Sequence, residues 1–346
     1  MALAKRLDEM AWRNVGFIRS LSDQEYAREL LEARRDFLRL RLRHEISIRQ
    51  IYVRAAEQVA QELRGMPPGL TRNHLLALEK TLSREAEKIN ASVSALAKSG
   101  MNEAVGLGAR PIDSRLFEAL KEAIVPMSIA RIQRGFGDVN SAAVEALWAR
   151  TYKGLNLSQR IWDHSQSARD AMRDIIHTGV AAGRDPVKVA RDLERYVRQG
   201  SATLAEDYPN MMARMGRRVP KDLCYESLRL TRTEYSKAYM EGTYSRGRVN
   251  PSYHGVRWML SDAHNVAMPD GDICDDIAEA NLYNLGPGVY PVGEEPVHPH
   301  PNCLCYVVPY LVDTDTFVLQ LKKWKDDPES QPSIEKWYTD FYRNLI

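Results

Sequence analysis

Three of the four cysteines in the chain lie close to three histidines in its last quarter. This Cys/His cluster consists of His264, Cys274, His298, His300, Cys303 and Cys305. Two residues separate His300 from Cys303, a spacing that lets both side chains reach one ion, and Cys305 follows two positions later. Thiolate and imidazole are ligands that suit tetrahedral zinc. The spacing predicts one structural zinc ion, with Cys274, His300, Cys303 and Cys305 as its ligands.

Two neighbouring residues extend this ligand set, and two other interpretations of the cysteines stay open. His264 or Asp272 could replace a ligand or brace one from outside the coordination shell. A disulfide could instead join Cys274 to Cys303 or Cys305, or the thiols could be inert and buried as small apolar side chains. A bound metal would stabilise the folded form of a segment that has many loops and little apolar core, because metal binding contributes folding free energy.

Zinc binding does not by itself make an enzyme. Four protein ligands close a site, whereas a catalytic site keeps one position open for water. Several acids near the cluster could act as a general base: Asp262, Asp270, Asp272, Asp275, Asp276 and Glu279. With so many acids nearby, one beside a metal is expected by chance. The chain has no GxxxxGK[ST], HExxH or GxSxG motif, and we predict no catalytic residue.

A cluster of arginines is the second group of residues that could bind a ligand or a partner. Residues 34–54 contain two acids and seven arginines, namely Arg34, Arg35, Arg39, Arg41, Arg43, Arg49 and Arg54. Clustered arginines attract phosphate, so this segment is a candidate surface for nucleic acid or an acidic partner. The alternation of leucine and arginine over 38–43 spreads the charges around a helix. A solvated helix face with intrahelical ion pairs fits this pattern equally.

The elements that must position these residues change in character along the chain. Residues 1–250 hold 7 of the 17 prolines and a net charge of +11, whereas the last 96 residues hold 10 prolines and a net charge of −9. Few prolines permit long helices, and many prolines indicate loops. The charge difference suggests separate partners for the two parts, an association between them, or simply an uneven solvated surface.

Apolar spacing predicts the individual elements. Helices are predicted at 22–64, 70–98, 114–136, 139–153, 156–181, 186–199 and 222–247. Connections are predicted at 100–114 and 208–222. Strands are predicted at 255–260 and 305–312, with Pro309 marking an edge or a strand end, and a short helix near 274–282. A terminal helix capped by Ser333 presents Trp337, Phe341 and Leu345 on one face, which must dock on its own chain or on a partner.

These elements predict a mainly α fold, with a long helical N-terminal region and a small loop-rich α+β C-terminal module stapled by zinc. The predicted divisions are 1–110, 111–220, 221–312 and a tail at 313–346. The composition, 44% hydrophobic and 27% charged, is ordinary for a soluble protein. Neither a transmembrane run nor a signal peptide is expected from the sequence, and four cysteines do not make a disulfide scaffold.

Ordered motifs over residues 225–312 resemble a known family. They are Arg232-Thr-Glu-Tyr235 with Ala238-Tyr239, Trp258 with Ser261-Asp-Ala-His264, Asp272-Ile-Cys274-Asp275, Leu285-Gly-Pro-Gly-Val-Tyr-Pro291 and His300-Pro-Asn-Cys303-Leu-Cys305. In this order they resemble the Mu F-like minor head proteins of tailed bacteriophages, also called phage head morphogenesis proteins. The final His-Pro-Asn-Cys-x-Cys segment is the most specific part. Many members carry a second cysteine where this chain has Ile277, which favours His300 or His264 as the fourth metal ligand.

The resemblance implies a structural component of the virion without catalytic activity. Such proteins are present in few copies inside the head near the portal vertex, after assembly in the host cytoplasm. They associate with the portal protein, with major capsid or scaffold proteins and with packaged DNA, and no membrane partner is implied. Their roles are head assembly, DNA packaging or DNA ejection. Two other functions remain as alternatives, a zinc-dependent hydrolase or nuclease that uses Asp272 or His264, and a basic nucleic-acid-binding protein.

Overall fold

The computed structural model describes residues 24–200, 202, 221–261, 264 and 270–345. Among the described residues, six α-helices precede the sheet: α1 Gln24–Arg64, α2 Arg72–Glu122, α3 Ile129–Ala149, α4 Leu157–Ala181, α5 Pro186–Gln199 and α6 Tyr225–Gly247. In the same part of the chain, three more follow the first strand: α7 Ile273–Glu279, α8 Thr314–Asp326 and α9 Pro332–Asp340. The strands are β1 Tyr253–Met259, β2 Val289–Pro291 and β3 Tyr306–Leu311. The predicted mainly α fold with a small α+β module near the C-terminus is confirmed.

The three strands form an antiparallel sheet with the order β2-β1-β3. Val256 in β1 stands opposite Tyr290 in β2 and Pro309 in β3. Both predicted strands are confirmed, and Pro309 does lie on a strand that has β1 as its only neighbour among the described strands. The sequence analysis missed β2, since three residues after a Gly-Pro-Gly turn are too few to show alternation.

The first predicted helix is confirmed by α1, which ends at Arg64 immediately before Gly65. Its predicted start at Ser22 or Asp23 lies outside the described residues, as does most of the predicted connection 208–222. The predictions at 156–181, 186–199 and 222–247 are confirmed by α4, α5 and α6, each within three residues. None of the described helices combines the length and the apolar character that a membrane crossing requires.

The predicted break at 100–114 is wrong, because α2 runs unbroken through it. The glycines there serve helix packing: a Cβ atom on Gly108 would collide with the carbonyl of Tyr239 in α6. In the same crossing, a Cβ atom on Gly242 would collide with the carbonyl of Val105. The predicted boundaries of 114–136 and 139–153 are also wrong. The break falls instead between α2 and α3, where Pro126 cannot donate a helical hydrogen bond.

The chain divides into two compact units, each assembled from separate segments. The sheet unit comprises 24–41, 99–147 and 232–345, and the helical unit comprises 42–98 and 148–231. In the sheet unit, the start of α1 covers one face of the sheet and contacts Tyr306 and Val308. Residues of α2 and α6 cover the other face, where Val256, Trp258 and Val307 are buried with the three clustered cysteines.

The helical unit is held by its own caps and polar contacts. Asn156 begins α4 through a capping box with Gln159, and Asp185 caps α5. The hydroxyl of Tyr52 lies 2.6 Å from that of Ser227, and both side chains are buried. These contacts fix the helices locally, as the sequence pattern of capping residues leads one to expect.

The three apolar residues predicted on the terminal helix pack on their own chain, but only Trp337 lies within α9. The predicted helix is too long, since Phe341 follows its last residue and Leu345 follows a 3-10 turn at Tyr342–Asn344. The indole N–H of Trp337 donates to the carbonyl of Val249 at 2.8 Å, and Phe341 stacks on Phe136 with ring centroids 5.7 Å apart. Leu345 fills the space beside Gly135. The sequence left a partner and the chain itself as alternatives, and the structure decides for the chain itself. The predicted cap is wrong: α9 begins at Pro332, its N-cap is Gln331, and no side-chain hydrogen bond caps it.

Candidate metal centre

Helix α7 brings the first cysteine to the centre. Asp272 is its N-cap, and a carboxylate oxygen of Asp272 accepts a hydrogen bond from the N–H of Cys274 at 2.7 Å. The carboxylate of Asp275 accepts from the N–H of Asp272 at 2.7 Å, which completes a capping box. This local pattern fixes the carboxylate of Asp272 beside the fully buried thiol of Cys274.

The loop before β3 brings the other ligands. Asn302 adopts a φ of 63°, and its N–H donates to the hydroxyl of Thr233 in α6 at 3.1 Å. This left-handed residue turns the chain between His300 and Cys303, as asparagine can at little cost. The hydroxyl of Ser236 donates to the carbonyl of Cys303 at 3.1 Å. Helix α6 therefore holds the loop in the turned conformation that two ligands of one ion require.

The sulfur of Cys274 contacts two of the predicted ligands directly. It lies 3.3 Å from Nε2 of His300 and 3.5 Å from the sulfur of Cys303. Nε2 of His300 also lies 3.1 Å from Oδ2 of Asp272. Zinc bonds of about 2.0–2.3 Å in a tetrahedron place neighbouring ligand atoms about 3.3–3.8 Å apart. The three contacts are close to the edges of such a tetrahedron, so these residues fit a tetrahedral ion.

The four cysteines are free thiols in this structure. The separation of 3.5 Å between the sulfurs of Cys274 and Cys303 is far above the disulfide bond length of about 2.05 Å. Cys274, Cys303 and Cys305 are all buried. Of the sequence alternatives, the arrangement shows no disulfide, and it places the thiols together with imidazoles and carboxylates that could hold a metal ion.

His264 and Cys305 meet Cys274 from another direction. One ligand atom each from His264, Cys274 and Cys305 lie within 4.8 Å of one another. Nε2 of His264 lies 2.7 Å from Oδ2 of Asp275 and 3.8 Å from Oδ1 of Asp272. The centre therefore contains two groups of donors that share Cys274, and the carboxylate of Asp272 faces an imidazole in each.

The thiols of Cys274, Cys303 and Cys305 shift one another's pKa values. Hydrogen bonds with Cys303 and Cys305, together with burial, raise the pKa of Cys274. Hydrogen bonds with Cys274 and Cys303 lower the pKa of Cys305. The three sulfurs therefore share hydrogen bonds and titrate as one coupled group rather than as independent thiols. A bound dication deprotonates coordinating thiols outright, so this group of three is suited to receive one.

His264 and His298 do not belong to the group formed by Cys274, His300 and Cys303, and their pKa values are shifted in opposite directions. Burial acts to lower the pKa of His264, but the hydrogen bond to Asp275 and the nearby Cys305 raise it overall. Burial and the charge of Lys237 lower the pKa of His298 to about 3. His298 belongs to none of the donor groups found among the described residues, although Cys303 and His300 lie close enough to affect its pKa.

The structure brings the four predicted ligands together, in a grouping that differs from the predicted one. Cys274, His300 and Cys303 lie together, whereas Cys305 joins Cys274 beside His264. Sequence reasoning named Asp275 only as one of many acids and missed it as the partner of His264. The signal was the Asp-x-x-Asp spacing at the start of α7, which is typical of a helix cap.

The seven arginines of 34–54 do not form one open surface. Arg34 and Arg41 are buried, which contradicts their predicted role in binding nucleic acid or a partner. The guanidinium of Arg34 lies 4.3 Å from the ring centre of Tyr306 and donates to the carbonyl of Leu304. Arg34 therefore supports the loop that carries Cys303 and Cys305.

The other five arginines are exposed or partly exposed: Arg35, Arg39, Arg43, Arg49 and Arg54. Arg35 and Arg39 each lie within 4.0 Å of the carboxylate of Asp36, and Arg49 pairs with Asp222 at 2.9 Å. This is the solvated face with ion pairs that the sequence analysis kept as its alternative. The exposed members stay candidates for contact with phosphate.

Comparisons of the chain with protein-family models, with curated proteins and with solved structures give no match. The resemblance to the Mu F-like proteins therefore depends on the ordered motifs quoted above.

Proposed function

We propose that this protein is a structural minor head protein of a tailed bacteriophage, similar to the Mu F-like proteins, with a zinc-stapled C-terminal module. The observation that carries the proposal is the convergence of the family motifs on one centre. Trp258, Tyr290, Cys274, Cys303 and Cys305 come from four separate motifs and share one buried cluster. Motifs that were recognised only by their order in the sequence thus form a single physical unit.

The remaining motif supports the same centre from outside. The segment that begins at Arg232 lies in α6, and it supplies the hydroxyl of Thr233 that binds the N–H of Asn302. One position after the segment, Ser236 binds the carbonyl of Cys303. A role for each motif in one metal-binding module explains why they occur together, whatever the chemistry of the rest of the chain.

Zinc is the metal that the donor set favours. Buried thiolates with imidazole nitrogen suit a borderline-soft ion and tetrahedral geometry, and oxygen-preferring Mg²⁺ and Ca²⁺ do not fit. Cys274, His300 and Cys303 would hold the ion, with Oδ2 of Asp272, 3.1 Å from Nε2 of His300, as the fourth donor. When bound, it would link α7 to the loop before β3 and add folding free energy to the buried cluster that both segments share.

The proposed role of the metal is structural. The three cysteines are almost completely buried, and protein donors surround Cys274 on two sides. A hydrolase would need a position open to water and substrate. We therefore assign no catalytic residue, and the activity that we propose is assembly: association with the portal and inner capsid proteins during head formation, DNA packaging or DNA ejection, inside the head near the portal vertex.

Co-expression with the portal protein of the same phage genome tests the assembly role. Co-purification in a fixed ratio at low and moderate salt supports it, and an absence of any complex contradicts it. Zinc in the same fractions is measured by elemental analysis. Cys303→Ser should lose zinc, and Cys224→Ser, which changes a buried thiol outside the centre, should keep it. Zinc without portal binding would favour the hydrolase or nuclease alternative, for which nucleic-acid cleavage is the next assay.

A further inference from the structure

We infer that the centre binds two zinc ions, bridged by the thiolate of Cys274 and the carboxylate of Asp272. This inference rests on the zinc binding proposed above and extends it, since the first ion uses only part of the donors. The decisive feature is that Cys274 belongs to two different donor groups, one with His300 and Cys303, the other with His264 and Cys305.

The first ion would have four donors. The sulfur of Cys274 lies 3.3 Å from Nε2 of His300 and 3.5 Å from the sulfur of Cys303. Oδ2 of Asp272 lies 3.1 Å from the same imidazole nitrogen. Two sulfurs, one nitrogen and one oxygen complete a tetrahedron, so Cys305 is not needed for this ion.

The second ion would also have four donors. Cys274, Cys305 and His264 place one ligand atom each within 4.8 Å of one another. Oδ1 of Asp272, the oxygen that does not face His300, lies 3.8 Å from Nε2 of His264. Asp275 holds that nitrogen by a hydrogen bond of 2.7 Å, which a metal bond would replace, and its carboxylate is then a further oxygen donor.

The two bridging residues are well placed for their role. Asp272 cannot rotate freely, because Oδ1 accepts the N–H of Cys274 at 2.7 Å as the cap of α7. This leaves one carboxylate oxygen directed to each imidazole. Cys274 is fully buried at the junction of the two groups, and a thiolate sulfur has enough lone pairs to bind two metal ions.

Zinc content of the full-length protein tests the inference. After removal of loosely bound metal by gel filtration, elemental analysis should give two zinc ions per chain. His300→Ala and His264→Ala should each retain about one, and Cys274→Ser should retain less than either. His254→Ala changes an exposed histidine of β1 outside the centre and should retain two.

Titration of the metal-free native protein with Co²⁺ avoids any dependence on variants that fold poorly. Thiolate-to-cobalt absorption should increase up to two equivalents, and the magnetic moment per cobalt should fall as the second equivalent couples to the first through the bridge. Saturation at one equivalent, with one zinc per chain, would overturn the two-ion centre and leave the single structural zinc intact. Absence of any bound zinc or cobalt would overturn both.

Discussion

Arg246 and Asp113 form an ion pair in the core of the sheet unit, and the side chain of Arg246 is completely buried. The guanidinium also donates to the carbonyl of Phe136 at 2.9 Å and to Asn140 at 2.8 Å. Its carbon lies 3.7 Å from the ring centre of Phe136. One side chain of α6 thus joins α2 and α3. The apolar residues of these two helices form one buried cluster with residues of α8 and α9.

The first prediction concerns the pH dependence of this pair. Burial raises the pKa of Asp113 from 3.8 to about 6, more than the opposing effect of Arg246 lowers it. The folded protein therefore holds this proton more tightly than the unfolded chain does. The contribution of Asp113 to the free energy of unfolding should be complete below pH 4 and decrease by about 3 kcal/mol as the pH rises to 6 and above.

Urea unfolding of the native protein and of Asp113→Asn between pH 4 and pH 7 measures this contribution. The difference between the two free energies should change with pH, because the variant lacks the titrating group. Asp138→Asn alters an exposed acid of α3 and should follow the native curve. A native-minus-variant difference that is constant over this range would contradict the prediction.

The second prediction concerns metal removal. A ligand present at a thousand times its Kd stabilises the folded state by about 4 kcal/mol, so a chelator should lower the melting temperature of the native protein by several degrees. Cys274→Ser removes the residue common to both donor groups, so it should melt lower than the native protein and should respond least to the chelator. Cys224→Ser should respond as the native protein does. An equal response of both variants would place the chelator effect outside this centre.

The third prediction concerns Arg34, the buried arginine that contacts the loop carrying Cys303 and Cys305. Arg34→Ala removes a cation–π contact with Tyr306 and leaves the carbonyl of Leu304 without its donor, a loss of about 2 kcal/mol. Zinc should leave the variant faster when a coloured chelator competes for it. Arg39→Ala removes an exposed arginine of the same helix and should leave both stability and zinc release unchanged.

The fourth prediction concerns the crossing of α2 and α6. In Gly108→Ala the new methyl group would collide with the carbonyl of Tyr239, which backbone movement alone can relieve. We expect a loss of about 2–3 kcal/mol in the free energy of unfolding.

Gly106, two positions earlier in the same helix, is the matched control. No atom lies within 4 Å of a Cβ placed on it. Gly106→Ala should therefore increase the free energy of unfolding by about 0.5–1 kcal/mol, since alanine is the better helix former. Equal effects of the two substitutions would show that close packing at Gly108 does not limit stability.

The sequence by itself determined the features that depend on local spacing. The apolar stripe of 22–64 and the glycine and prolines after it define α1, because helical period and helix ends are properties of neighbouring residues. The separation of His300 from Cys303 likewise indicated a shared ion. The apolar run 305–312 was enough to predict a strand, and Pro309 within it predicted an edge or a strand end.

Only the tertiary structure decided the features that depend on residues far apart in the chain. Gly108 lies inside α2 because α6 approaches there, and a helix-breaking residue is indistinguishable from a packing residue until its partner is known. From the sequence alone, Arg34 is indistinguishable from a charge on the surface. Only the fold shows that it is buried and donates to the carbonyl of Leu304. His264 and Cys305 share Cys274 through folding of separated segments, and sequence spacing carries no information about that convergence.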